Sequence, residues 1–261
     1  MSMMKRLADS ASKESSWQSS LRKNEPCSCL SLCLRVIFLD HTYLHIFIAL
    51  QDLWETEWSK SGRSTSFTEV DLTAAGAAQV SSAAAVLVGS GKFIDPCHVA
   101  HVFVSPRKRA QATMDLLLPS SSDISKEKIT FTEVITEWNY GDYEGKTNEE
   151  IRRLRKDKGW DKEQEWTVWS DGLEEVTNRL DKLIVHIKTI QKPLMDGKEP
   201  ADIVLVAHGL ILRCFAKRWL GYRLSDGIPM MLEPGAVGIL SYRDNNINKP
   251  AIHIGTQIRM T

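Results

Sequence analysis

Three basic residues follow a short β-branched run near the middle of the chain. The run Val99–Ser105 reads VAHVFVS, and it leads through Pro106 into RKR, which ends at Arg109. Serine at the N-cap and proline at the first helical position predict that a helix begins here. A helix N-terminus presents unpaired N–H groups and a positive dipole end, and a guanidinium one turn further on can fork onto phosphate oxygens. The pattern indicates an anion site or, alternatively, a solvated basic face.

A histidine follows a second apolar run. Asp202–Ala207 reads DIVLVA and predicts a buried strand, and His208 stands where this run gives way to helical spacing. Gly209 permits a ligand or another backbone segment to come close, and Arg213 is near enough in sequence to reach the same place. A lone histidine at a strand end is more often a satisfied structural residue, so both interpretations stay open from this pattern alone.

Strands and helices alternate along the rest of the chain. Apolar runs predict strands at 34–41, 45–51, 99–105, 129–135, 202–207, 236–242 and 251–257, and helical spacing predicts helices at 72–88, 106–118, 147–159, 172–190 and 210–221. This alternation predicts a three-layer α/β fold, with a mostly parallel sheet and helices on both faces. Ligands of such sheets bind outside the carboxyl ends of the strands. We therefore expect Ser105 and His208 to lie at one site.

Composition narrows the class of protein. The 261 residues carry a formal net charge of zero, so we expect no binding of nucleic acid or of an acidic membrane. Residues 30–50 are largely apolar but include Arg35 and Asp40, and each charge would cost about 3 kcal/mol at the bilayer centre, which favours two buried strands over a membrane span. Five cysteines and no secretory signal indicate a reduced protein of the cytoplasm, with the nucleus as a further location.

The N-terminal region differs from the rest. Residues 1–24 are rich in serine and poor in large apolar residues, which is typical of a disordered tail. The predicted organisation is a tail at 1–33 and one α/β domain at 34–261. Cys27, Cys29 and Cys33 crowd together, but zinc sites usually take four ligands with paired spacing, so a metal clip is disfavoured.

Short segments, taken in order, resemble the histidine phosphatase superfamily, which has the phosphoglycerate-mutase-like fold. They read VSPRKRAQAT, TEWNYGDYEG and LVAHGLILR. The segments ETEWSKSGR, DLTAAG and RCFAKRWLG resemble its sedoheptulose-bisphosphatase branch in the same order. The resemblance runs from about Glu55 to the C-terminus, and its motifs are specific as an ordered set rather than singly.

The resemblance implies a phosphatase that acts on a sugar phosphate or bisphosphate through a phosphohistidine, without a metal or other cofactor. A small phosphorylated sugar is the expected partner, and a homo-oligomer is left open. Alone, Glu137 would be an ordinary surface carboxylate and Tyr140 a core aromatic. By resemblance, the phosphoryl group is bound by Arg109 and stabilised by His208, the leaving oxygen is protonated by Glu137, and the sugar phosphate is contacted by Ser105, Tyr140 and Arg213.

The nucleophilic histidine of that family has no plain match. Its first strand ends in Arg-His-Gly, a tripeptide that this sequence lacks. Counting back from ETEW, the three positions fall on Asp52, Leu53 and Trp54. Alternatively, RVIFLDH has the rhythm of the family's first strand, which makes His41 the nucleophile and puts Asp40 in place of the arginine. An aspartate beside a phosphate would repel it.

The sequence leaves two rival functions beside the phosphatase. Without a nucleophile, the chain would be a catalytically impaired pseudoenzyme or a phosphate-binding protein. A phosphoglycerate mutase is disfavoured, because EWSKSG matches the phosphatase branch. In this sequence WSDG runs directly into LEEV. The family has an acidic loop there that is several residues longer and borders the active site.

Overall fold

The computed structural model describes residues 44–50, 54–119, 124–159, 172–196, 198–231 and 237–254, all in one compact unit. Within these ranges the strands are β1 (Ile46–Leu50), β2 (Val99–Val104), β3 (Ile129–Phe131), β4 (Asp202–Ala207), β5 (Val237–Tyr242) and β6 (Pro250–His253). The helices are α1 (Glu57–Lys60), α2 (Ala74–Leu87), α3 (Lys108–Leu117), α4 (Asn148–Asp157), α5 (Leu173–Gln191) and α6 (Gly209–Trp219). The predicted strand at 34–41 and the predicted domain boundary after residue 33 lie outside the described residues.

The strands form one mixed sheet in the order β3-β2-β4-β1-β5-β6. The first four are parallel to one another, while β5 pairs antiparallel with β1 and with β6. The mostly parallel α/β sheet is therefore confirmed. Its centre is β4, whose six residues are all buried, as expected of a strand covered on both faces.

Side chains alternate between the two faces of the central strands, and each face has its own apolar core. Ile203 and Leu205 of β4 pack with α5 and α6, whereas Val204 and Val206 pack with α2 and α3. The period of two is that of a strand. Helices thus cover both faces, and this confirms the three-layer arrangement. In the part of the chain that the structure describes, no helix is long and apolar enough to cross a membrane.

Two predicted boundaries are corrected. Helix α3 begins at Lys108, and its N-cap is Arg107 rather than Ser105. The predicted strand at 129–135 ends at Phe131, because Thr132 caps a short 3-10 turn, Glu133–Ile135, by accepting a hydrogen bond from Val134. The capping box predicted for the helix at 147–159 is present, with Thr147 at the N-cap of α4 and Glu150 bonded back to it.

Candidate active site

The carboxyl ends of β2 and β4 bring Ser105 and His208 together. The two strands are paired, and the Ser105 N–H donates to the carbonyl of Val206, so the residues that follow each strand leave the sheet side by side. Ser105 Oγ lies 2.7 Å from Nε2 of His208, and both residues are fully buried. His208 is the N-cap of α6 and has extended backbone angles, and its side chain makes no capping hydrogen bond to the helix.

Arg109 completes this cluster and fixes the tautomer of His208. Its Nη2 lies 3.1 Å from Nδ1 of His208, and its side chain is almost wholly buried. A guanidinium only donates hydrogen bonds. Nδ1 is therefore the acceptor, and a neutral His208 ring carries its proton on Nε2, which donates to Ser105. In this state His208 cannot act as a base toward the Ser105 hydroxyl.

Two backbone carbonyls hold the guanidinium of Arg109 from the other side. Nη1 donates to the carbonyl of Thr68 at 3.0 Å, and Nη2 donates to the carbonyl of Ser66 at 2.9 Å. No sequence pattern predicts these two residues at the site, because they lie about forty positions upstream of Arg109. A planar guanidinium held at both terminal nitrogens has a fixed orientation, as forked recognition of a phosphate requires.

Glu137 joins the site to the N-terminus of α6. Its buried carboxylate accepts hydrogen bonds from the N–H groups of Trp138 (2.8 Å), Leu210 (3.0 Å) and Ile211 (3.1 Å). The last two are among the N–H groups that a helix leaves without intrahelical partners. Three N–H donors and the positive end of the helix dipole stabilise the negative charge of an ionised carboxylate. Glu137 is therefore not the surface carboxylate that its sequence context alone would indicate.

A polar cavity of about 340 Å³ opens in front of Arg109. Tyr140 and Arg213, both expected at the site, line it. Arg213 makes no hydrogen bond or ion pair with another residue in the described ranges, and its Nε is buried, so the wall of the cavity carries a positive charge suited to an anion. The segment ETEWSKSGR also contributes to the lining, and the sequence assigned no site role to these further lining residues: Thr56, Ser59, Gly62, Arg63, Ser64, Thr65 and Asn148.

The structure brings three predicted residues into direct contact and places others around them. Ser105, Arg109 and His208 form the buried cluster, Tyr140 and Arg213 line the cavity with Arg109, and Glu137 binds the first turn of α6. Among the residues that the structure covers, no group of three histidine, cysteine or acidic side chains is arranged to hold a metal ion.

Strand β1 pairs with β4 on the side opposite β2. Leu50, its last residue, is in register with Ala207, which directly precedes His208. The next three positions in the sequence, Gln51, Asp52 and Leu53, lie outside the described residues, and so does His41. His45 lies at the other end of β1, where its N–H donates to the carboxylate of Asp202 at 3.0 Å. His45 and His208 therefore lie at opposite ends of the paired strands β1 and β4.

Cys214 is a buried neighbour of the site that the sequence did not indicate. Burial, together with the nearby negative charge of Glu137, raises the pKa of the Cys214 thiol to about 12. The group therefore stays a neutral thiol near pH 7 and has little nucleophilic character. Cys214 is therefore not a candidate for the nucleophile.

Comparison with known proteins points to one family. A model of the histidine phosphatase superfamily (branch 1) matches residues 55–252. The chain is 33% identical over 240 residues to sedoheptulose 1,7-bisphosphatase of Saccharomyces cerevisiae, covering 77% of this chain and 89% of that protein. It is 29% identical to an acid phosphatase of Mycobacterium tuberculosis, covering 72% and 82%. The alpha-ribazole phosphatase of Shigella flexneri shares the fold, with a TM-score of 0.60, 16% identity, and coverage of 84% and 98%.

Proposed function

The chain belongs to the histidine phosphatase superfamily, and we propose that it is a phosphatase that hydrolyses a sugar bisphosphate, with sedoheptulose 1,7-bisphosphate as the first candidate. Its class, phosphoric monoester hydrolase, follows from the family and from its phosphatase relatives. The observation that carries the proposal is the contact of Arg109 with His208 at a cavity whose wall bears Arg213. The cytoplasm remains the proposed location.

The proposed chemistry depends on charge and position. Phosphoryl transfer needs alignment and neutralisation of the oxygens more than covalent assistance. Arg109 and Arg213 supply fixed positive charge. The Nε2–H group of His208 donates to a phosphoryl oxygen once its hydrogen bond to Ser105 is broken. Tyr140 contacts the sugar from the cavity wall.

The reaction has two displacements. A nitrogen of the nucleophilic histidine, for which His41 is proposed, bonds to phosphorus while the bond from phosphorus to the sugar oxygen breaks. Glu137 gives its proton to that oxygen. Water then cleaves the phosphohistidine and releases inorganic phosphate, while Glu137 takes back a proton from the water.

The hydrogen bonds of Glu137 bear on this acid step. Its three N–H donors stabilise the carboxylate that remains after the proton is delivered, but they also oppose protonation beforehand. The acid role therefore requires the negative charge of a bound phosphoryl group nearby, which favours the protonated form. Without such an anion, Glu137 serves as a cap of α6.

A second candidate function, phosphate binding without turnover, is favoured by the position of β1. The end of β1 lies beside the residue that precedes His208, and the positions that follow in sequence are Gln51, Asp52 and Leu53. A leucine cannot accept a phosphoryl group, and an aspartate repels one. On this alternative, Arg109, Arg213 and His208 retain an anion that no nucleophile attacks.

Release of inorganic phosphate from sedoheptulose 1,7-bisphosphate separates the two functions. We expect release by the purified chain, and at least a hundredfold loss in Arg109→Ala and in His208→Ala, because each removes a group that stabilises the transferring phosphoryl. Arg152→Ala, which removes an exposed arginine of α4, is the matched control and should retain activity. Unchanged rates in both site variants would show that the site is wrongly assigned.

Phosphate binding without turnover predicts a different result. Phosphate binding that Arg109→Ala abolishes, without any release of phosphate from the bisphosphate, would favour it over the phosphatase. The triple variant Asp52→Arg, Leu53→His and Trp54→Gly restores the Arg-His-Gly tripeptide. A gain of phosphate release in that variant would place the missing nucleophile at position 53.

A further inference from the structure

The loop at 64–69, which holds Arg109, is itself held by Glu144. One carboxylate oxygen of Glu144 accepts from the N–H of Thr68 at 3.0 Å, and the other accepts from the hydroxyl of Ser66 at 2.5 Å. The N–H of Ser66 donates to both oxygens, at 3.0 and 2.9 Å. The carbonyls of the same two residues accept from Arg109. The loop is thus bound by a carboxylate through its N–H groups and by a guanidinium through its carbonyls.

We propose that Glu144 is a positioning residue, which orients the Arg109 guanidinium toward His208 and the cavity by holding the two loop residues whose carbonyls Arg109 binds. The proposal rests on the proposed phosphate site but adds a residue that touches neither the phosphate nor Arg109. Glu144 and Arg109 bind the same two residues, Ser66 and Thr68, Glu144 through their N–H groups and Arg109 through their carbonyls. The N–H and the carbonyl of one residue lie in adjacent rigid peptide planes joined at its Cα, so once the N–H is held only that residue's φ and ψ remain to move the carbonyl.

The neighbouring backbone makes this arrangement stiff. Ser64 and the segment after Glu144 exchange two backbone hydrogen bonds, from the Ser64 N–H to the Lys146 carbonyl and from the Gly145 N–H to the Ser64 carbonyl, both 2.9 Å. The hydroxyl of Ser66 also accepts from the N–H of Tyr140 at 3.3 Å. Two chain segments that are distant in sequence are therefore bonded at several points around one carboxylate.

Only an ionised carboxylate satisfies all these donors. Glu144 faces two N–H groups and one hydroxyl, and a carboxylate can accept them all because both of its oxygens are acceptors. A glutamine keeps one acceptor and turns an NH₂ group toward the loop, so at least one donor loses its partner. Burial acts to raise the pKa of Glu144, but the hydrogen bonds from Ser66 and Thr68 outweigh it and hold the pKa below its usual value.

The first test measures binding of inorganic phosphate by titration calorimetry. Glu144→Gln is expected to weaken phosphate binding about tenfold, because the guanidinium loses its fixed direction. Glu149→Gln, the same change at an exposed carboxylate of α4 whose partner is Arg153, is the matched control and is expected to change it less than twofold. In an Arg109→Lys background the Glu144→Gln change should have less than a twofold effect, because lysine cannot fork onto both loop carbonyls.

The double variant separates positioning from general stability. An equal loss of affinity in both backgrounds would show that Glu144 does not act through Arg109, and it would overturn the proposal. So would unchanged affinity in Glu144→Gln when circular dichroism shows that variant to be folded. If Glu144→Gln does not fold, Ser66→Ala, which removes one donor to the carboxylate, is expected to weaken binding in the same direction.

A second readout does not depend on phosphate. In the wild-type chain the guanidinium hydrogens of Arg109 are held by acceptors, so their exchange with solvent, followed by NMR, is expected to be slow. Glu144→Gln should accelerate that exchange at least tenfold, and exchange at the wild-type rate would overturn the proposal. Failure of the wild-type chain to bind phosphate would instead contradict the proposed function, while the exchange rate would still decide the role of Glu144.

Discussion

Replacing Glu137 tests how much its hydrogen bonds to helix α6 contribute to the stability of the protein. Its carboxylate accepts three backbone hydrogen bonds, two of them from the first turn of α6. In Glu137→Ala the three N–H groups lose their acceptor in a buried place. Each unsatisfied buried donor costs about 1–3 kcal/mol, and entry of water into the vacated space recovers part of this.

The expected loss of unfolding free energy for Glu137→Ala is about 3–5 kcal/mol, below the simple sum of the three donors because such effects are not additive. Glu137→Gln keeps one acceptor oxygen but loses the charge that complements the helix dipole, so the expected loss is about 1.5–3 kcal/mol. The order alanine, glutamine, wild type in rising stability follows from the geometry alone.

Urea unfolding followed by circular dichroism measures these differences. Glu133→Ala is the control, since that carboxylate lies four positions upstream, is exposed and makes one ion pair at 3.5 Å with Arg107. Its expected effect is below about 1 kcal/mol. A loss below 1 kcal/mol in Glu137→Ala, with an unchanged slope against urea, would refute the reasoning, because it would mean that the three hydrogen bonds contribute no net stability.

Three further outcomes are expected. The pKa of Glu144 is held below its usual value by loop hydrogen bonds that outweigh its burial, so its contribution to stability is present above the unfolded glutamate pKa of about 4.3 and is lost as pH falls through the folded pKa. The stability difference between wild type and Glu144→Gln in urea should therefore shrink below about pH 4.3, and a constant difference would contradict this. At pH 8, iodoacetamide should label exposed Cys97 and spare Cys214, whose pKa is about 12, as peptide mass spectrometry would show; equal labelling would contradict the burial of Cys214. Gly76→Ala should lower the melting temperature despite the better helix propensity of alanine, because a Cβ there would lie 2.2 Å from the carbonyl oxygen of Glu55; a higher melting temperature would show that this contact relaxes freely.

Local patterns predicted the elements whose character is set by burial. The run at 202–207 is apolar throughout because β4 is covered on both faces, and the helix after His208 follows from its spacing. The meeting of Ser105 with His208 was predictable as well, since parallel strands end at one edge of the sheet.

Long-range contacts account for what the sequence did not reveal. Serine is a common N-cap residue, but the hydroxyl of Ser105 contacts His208, 103 positions away. Helix α3 begins only at Lys108. No periodicity connects Glu144 with a loop 78 positions upstream, although that loop orients the arginine of the site. Polar side chains of this kind read as ordinary surface residues until the fold brings their partners to them.

The capture of a phosphorylated histidine tests the central claim most directly. The purified chain is incubated with sedoheptulose 1,7-bisphosphate, quenched in alkali and digested, and acid-labile phosphate is located by peptide mass spectrometry. The phosphatase account predicts phosphate on a histidine other than His208, with His41 the proposed position, and loss of that signal in Arg109→Ala. Phosphate that binds to the chain while every histidine peptide stays unmodified would contradict it.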